Sequence, residues 1–144
     1  MTTKTRYVLM LVFSIELDKV VLLIKKHGPS FLRNKRTFPG GHIEQGEAAF
    51  AAGTREMREE TGLDVLFWEE ICVITDLSEM HVLAGTCANI QDATDMTDEP
   101  VEVWSVSDLT IAQARAPEDF APDLMPLLGL ALNKLRERQK PAQV

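Results

Sequence analysis

Glu56, Glu59 and Glu60 are three and four residues apart in a stretch, Ala48 to about Thr61, that contains no proline and is dominated by Ala, Arg, Glu and Met. At 3.6 residues per helical turn, that spacing puts the three carboxylates on one face, within about 100° of arc. Like charges on one stripe cost about a few tenths of a kcal/mol per pair even when exposed, so something cationic should offset them. Arg55 and Arg58 with water would make an ordinary charged helix surface. The same array would also make an all-oxygen site for Mg²⁺ or Mn²⁺, which keep several waters and share phosphate oxygens of a substrate. Gly40-Gly41 weighs toward the second arrangement, because paired glycines let the backbone turn tightly, approach a ligand and expose carbonyl oxygens to a hard cation. Such an ion stabilises phosphoryl-transfer charge and lowers the pKa of a bound water.

The elements that must position these groups follow from hydrophobic patterning. Tyr7 to Leu17 and Val20 to Lys26 are rich in Val, Ile, Leu and Phe around the polar break Asp18-Lys19, which predicts a hairpin of buried strands. Lys26 to Arg36, with Gly28-Pro29, reads as a surface loop leading into Pro39-Gly40-Gly41. The helix from Ala48 ends at Gly62, a residue suited to a helix stop, and its Phe50 and Met57 mark a stripe for the core. Further strands are expected over Val65 to Thr75, His81 to Ile90 and Val101 to Val106. A last helix is expected from about Pro122 to Gln139, where Leu124, Leu127, Leu128, Ala131 and Leu135 recur at core-packing intervals. This order suggests an α+β fold or a sheet covered by helices on both faces.

At 144 residues the chain is most economically one domain, 1–144, with a single active site. No apolar run approaches the roughly 20 residues of a spanning helix, and the basic start is not followed by a small-residue cleavage site. The expectation is a cytoplasmic protein away from membranes, a homodimer being allowed. Cys72 and Cys87 lack metal or redox spacing and read as buried thiols. A net charge of −7 argues against binding long nucleic acid, whereas a small anionic ligand could use the local cluster Lys25, Lys26, Arg33, Lys35 and Arg36.

From Gly41, five residues lead to Glu47 and seven more to Arg55, followed by Glu56, Met57, Arg58, Glu59, Glu60, Thr61, Gly62 and Leu63. This resembles the Nudix box, G-x5-E-x7-R-E-U-x-E-E-x-G-U with U a bulky aliphatic, and all nine specified positions of the 23-residue window are filled. Phe38-Pro39-Gly40 is similar to the family's usual lead-in. The resemblance implies an α/β protein of the Nudix fold, an α/β/α sandwich with a mixed β-sheet, and a hydrolase dependent on Mg²⁺ or Mn²⁺.

It implies metal ligation by Glu59, Glu60 and the Gly40 carbonyl, with Glu56 a further ligand or the general base. Arg55 would orient Glu56 and Glu47 through charge-assisted hydrogen bonds, or Glu47 would only support the loop. Some relatives add a carboxylate outside the box, and the loop Asp95 to Glu102 offers Glu99 first and Asp98 second. Arg33, Lys35 and Arg36 are candidates for the phosphates and Phe38 for stacking on a base, while His27, His42, His81, Trp68 and Trp104 read as structural. Signatures of the ADP-ribose, dinucleoside polyphosphate, coenzyme A and NADH subfamilies do not stand out. By elimination the expected substrate is a nucleoside triphosphate cleaved in the MutT manner to monophosphate and pyrophosphate. The alternatives are ADP-ribose or a nucleotide sugar, an RNA 5′ end, or a Nudix-fold regulator that binds nucleotide without cleaving it.

Overall fold

The structure, a computed structural model, describes residues 4–140; the outermost residues of the expected domain, 1–3 and 141–144, lie outside it. Strands β1 (Arg6–Phe13), β2 (Lys19–Ile24), β3 (Arg36–Thr37) and β4 (Gly40–His42) precede helix α1 (Ala49–Thr61). Then come β5 (Glu69–Thr75), β6 (Glu79–Thr86), β7 (Val101–Ser105), α2 (Val106–Arg115) and α3 (Leu124–Gln139). β1 runs parallel to β6 and every other pairing is antiparallel, so the seven-stranded sheet is mixed.

β1 is apolar on both faces because both are covered. Val8, Met10 and Val12 join Ala52 and Met57 of α1, with Val65 and Trp68, in one core. Leu11 and Phe13 pack on the opposite side with Leu109 of α2 and Leu124, Leu128 and Leu135 of α3. Two-residue alternation along one strand therefore feeds two helical layers, and the result is the expected α/β/α sandwich with a mixed sheet.

The hairpin of β1 and β2 comes apart soon after its turn. The two strands are in register only at Phe13 and Val20. Beyond that point β3 takes the inner edge of β2, with Leu23 opposite Thr37, and β4 takes the inner edge of β1, with Leu9 opposite Gly40. Thr37 to Gly40 thus crosses the gap between the splayed strands, held midway by the Met10 amide donating to the Pro39 carbonyl at 2.8 Å. The opening between the strands is a cleft of about 500 Å³.

Several boundaries differ from the sequence reading. The expected strand Val65 to Thr75 begins only at Glu69, because Val65 and Trp68, almost fully buried, tuck against α1 instead of pairing. The strand expected from His81 to Ile90 starts at Glu79 and ends at Thr86, with a single 3₁₀ turn at Ile90–Asp92. Phe50 does not face the core: it is 44% exposed, and Ala52 and Gly53 take the buried side of α1 with Met57. Helix α2 does not show in the sequence pattern, since Leu109 is its one buried residue and leaves little periodicity to read. Its signal is the start, where the Ser105 hydroxyl accepts from the Asp108 amide at 3.0 Å. Cys72 and Cys87 are free thiols, half-buried and buried. Among the described residues no helix is long and apolar enough to cross a membrane.

Gly85 of β6 lies under the segment that enters β5. A Cβ there would stand 2.8 Å from both the Phe67 carbonyl oxygen and Val65 Cγ1, and 3.2 Å from the Trp68 ring. Backbone cannot rotate away as a side chain can, so Gly85→Ala should destabilise the protein by about 1–3 kcal/mol, in the range of overpacked cores. Thermal unfolding reads this directly, and an unchanged Tm would mean that the 65–68 segment gives way freely.

Candidate active site

α1 and the turn before it assemble around one guanidinium. Arg55 donates from Nε and Nη2 to the two Glu47 carboxylate oxygens, both at 2.9 Å, and from Nη2 to the His42 carbonyl at 3.0 Å. Its Nη1 donates to Glu56 at 2.9 Å and to Glu59, one turn along the helix, at 3.2 Å. Glu47 reaches this position through a turn with Gly46 at φ 78°, closed by the Glu47 amide on the Glu44 carbonyl and the Glu44 amide on the Glu47 carboxylate, both at 3.0 Å. The Arg55 hydrogen bonds, then the Glu44 amide, hold the Glu47 carboxyl down at about 2.

Glu56 and Glu60 lie deeper. Burial pushes the Glu56 carboxyl up, although Arg55 opposes it. Glu60 goes further, to about 8, mainly by burial and then by the charge of Glu56; Lys25 counteracts this, while Glu99 and Glu59 add to it. Glu60 Oε2 is sealed from solvent and has no hydrogen-bond partner among the described residues. Gly40 and Gly41 form no tight turn but lie in β4, and a Cβ on Gly41 would overlap the Glu56 carboxylate, so only glycine lets this strand lie against that group. Gly62 ends α1 in the left-handed conformation, φ 75°.

The donor set consists of carboxylate oxygens, one of them unsatisfied, with Glu56 and Glu60 raised mainly by burial, beside the glycines of β4. These groups fit a hard divalent cation. Among the described residues no three acidic, His or Cys side chains are gathered around a common point, and Arg55 draws Glu56 and Glu59 toward itself.

Glu99 joins this group from the loop before β7. Its carboxylate is nearly buried, with Oε2 accepting from the Lys26 and His27 amides at 2.7 and 3.2 Å and Oε1 lying 3.6 Å from Lys25 Nζ. Asp98 points elsewhere, to an exposed contact with His27 Nε2 at 2.6 Å.

The basic run divides. Lys25 lines the cleft. Arg33 is exposed and donates to the Gly28 carbonyl at 3.2 Å, and Lys35 is half-buried. Arg36 does not reach the cleft as expected: it donates to both Glu102 oxygens, at 2.6 and 3.3 Å, and lies 5.5 Å over the Trp104 ring. Phe38 is also corrected, since at 2% exposure it packs in the α3-side core and contributes only to the cleft floor, with no free face for stacking. Tyr7, Leu9, His42, Ser78 and Met80 face the cleft with Phe31 and Leu32, none of which the sequence reading selected. The one available signal was the pair Phe31-Leu32 inside an otherwise polar loop.

Comparison with curated proteins gives no match. Among solved structures, a hydrolase of the NUDIX family from Clostridium perfringens superposes with a TM-score of 0.73 at 21% identity, over 93% of this chain and 99% of that one. A structure from work on MutT of Aliivibrio salmonicida and Vibrio cholerae superposes at 0.70 with 17% identity, over 92% and 99%. At such identities the superpositions establish the shared fold. The sequence profile of the NUDIX domain matches residues 3–124, most of the chain and all of the carboxylate site. With the complete box on α1 and its turn, this places the chain in the Nudix family as a hydrolase.

Proposed function

We propose that this Nudix hydrolase cleaves a phosphoanhydride in a nucleoside diphosphate linked to another group, with a nucleoside triphosphate giving monophosphate and pyrophosphate as the preferred case. We also take it to be a single cytoplasmic domain over 1–144. The observation that carries the reading is the Gly40–Gly41 segment of β4, which lines the apolar cleft and also abuts the Glu56 carboxylate. A ligand with an apolar or aromatic body and a polyphosphate tail matches that junction.

In this reading Gly40, through its carbonyl, with Glu59 and Glu60 would hold Mg²⁺ or Mn²⁺, and Glu56, the remaining candidate ligand, is kept as the base. The bound ion supplies positive charge against the phosphate oxygens and lowers the pKa of water. Arg55 and Glu47 are positioning residues: the doubly held Glu47 anchors Arg55, and Arg55 fixes the rotamers of Glu56 and Glu59. Lys25, the cation that lines the cleft, receives a phosphate, while Arg33 and Lys35 add positive field along the approach. Water forms a new O–P bond, the anhydride linkage between the α- and β-phosphates breaks, and the water proton passes to a carboxylate. We assign that proton to Glu56 rather than Glu99, because both Glu99 oxygens already face donors or Lys25. A panel of nucleotides with Mg²⁺ and Mn²⁺, read by product identity, tests the whole proposal; absence of turnover on every nucleotide would leave a binding module instead.

Glu59→Gln and Glu60→Gln should each lower kcat at least about a hundredfold with thermal stability kept, the loss expected when transition-state charge goes uncompensated. Rates like those of the wild type at saturating Mg²⁺ in both variants would remove the metal-site assignment.

The pH–rate profile separates the two base candidates. Activity should fall on the acidic side as the base takes up its proton; burial raises Glu56 while a bound cation would lower it, so the variants, and not the position of the limb, identify the base. Glu56→Gln should abolish that limb and Glu99→Gln should preserve it; the reverse pattern transfers the role to Glu99.

Neutralising Lys25 as Lys25→Gln should raise KM more than it lowers kcat, since a phosphate contact exists both before and during the transition state. The effect should shrink as salt rises. An unchanged KM at low salt would show that Lys25 serves only Glu99.

A further inference from the structure

The loop between β2 and β3 is not the slack connection that its polar composition suggests. Its ends are tied together, the Lys25 amide donating to the Lys35 carbonyl at 2.9 Å and the Asn34 amide to the Lys25 carbonyl at 2.7 Å. Inside, the Leu32 and Lys35 amides donate to the Pro29 and Leu32 carbonyls, both at 3.0 Å, and Asn34 takes φ 64° to close the turn. From outside, the buried Glu99 carboxylate pins the loop by two backbone amides and Lys25. The loop thereby holds one large side chain, Phe31, at 62% exposure on the rim of the cleft.

An aromatic ring left in water on a rigid mount is half of a binding site, because no ordering cost remains to be met when a partner arrives. The other wall comes from β1, β4 and the start of β6: Tyr7, tilted against the His42 ring at 4.6 Å, with Leu9 and Met80. The polar side chains of the lining are Lys25, the His42 ring and the hydroxyl-bearing Tyr7, Thr37 and Ser78, and hydroxyls rotate to donate or accept as the ligand requires.

Resting on the proposed nucleotide reaction, we infer that Phe31 is the stacking residue for the nucleobase, that Glu99 is the positioning residue holding its loop in place, and that the cleft accepts different bases with little discrimination. Base–aromatic stacking tolerates any base because each has a π-face. Freely rotating hydroxyls add little selection between base edges.

The test is calorimetric binding of the α,β-imido analogues of ATP, GTP, CTP and UTP, and of inorganic triphosphate, to the full chain with Mg²⁺. Phe31→Ala should weaken the four analogues by roughly tenfold to a hundredfold and leave triphosphate unchanged, while Phe31→Tyr should bind like the wild type. The four analogues should bind the wild type within about tenfold of one another. Equal losses for analogues and triphosphate, no loss at all, or a hundredfold preference for one base overturns the inference. A prenyl diphosphate that binds more tightly than every nucleotide analogue overturns it as well, by giving the cleft to an aliphatic chain. For Glu99, hydrogen exchange at the Lys26 and His27 amides should accelerate at least tenfold in Glu99→Ala with the remaining amides of the sheet unchanged; no acceleration removes the positioning role. Binding and exchange are read without turnover. A chain that cleaves nucleotides but ignores Phe31 refutes the cleft assignment alone, and one that binds the analogues through Phe31 without cleaving any nucleotide refutes the hydrolytic reading alone.

Discussion

The guanidinium of Arg55 makes five hydrogen bonds, the full complement that such a group can donate. Every one ends on an oxygen of the turn before α1 or of α1 itself, so a single side chain joins the His42 backbone, the Glu47 loop and two carboxylates of the acidic face. Without a cation of this shape, those carboxylates would repel one another and the turn would lose its tie to the helix. Lysine carries the same charge, but its point-like ammonium cannot match the planar fork that Glu47 grips with both oxygens. Arg55 offsets part of the cost of burying Glu56, whereas Glu60 lacks that partner and its carboxyl is pushed up instead.

The second constraint is topological. A strand has two edges, and because β1 and β2 part after a single registered pair, each has an inner edge to fill. β4 and β3 fill them, and the backbone that crosses between must arrive at α1 through Gly40-Gly41. The same splay that opens the cleft thus delivers the glycines of β4 to the carboxylates. Gly40 itself has little room to be anything else, since a Cβ there would sit 2.9 Å from the Val8 carbonyl oxygen.

Much of the fold and of the acidic cluster was legible in the sequence because both rest on spacing. The intervals of Glu56, Glu59 and Glu60, the Gly62 stop and the leucine intervals of α3 are local properties, and local structure follows them. What escaped depends on tertiary partners. In sequence Arg36 looks free to meet a phosphate because Glu102 and Trp104 are distant, and Phe38 looks like a stacking face because nothing in its neighbourhood shows that the core takes it in. Phe31 is inconspicuous in the sequence for the converse reason: a polar loop gives no hint that backbone hydrogen bonds and Glu99 hold it in place. Helix α2 carries one buried residue, too few for periodicity to register.

The loop from Lys25 to Lys35 closes on its own backbone and is fastened to the body at its base. Side chains at its tip therefore contribute little to holding the sheet or the acidic face together. Mutations there can accumulate without endangering the hydrolytic machinery, which leaves ligand preference free to drift over evolutionary time while the reaction chemistry stays constant.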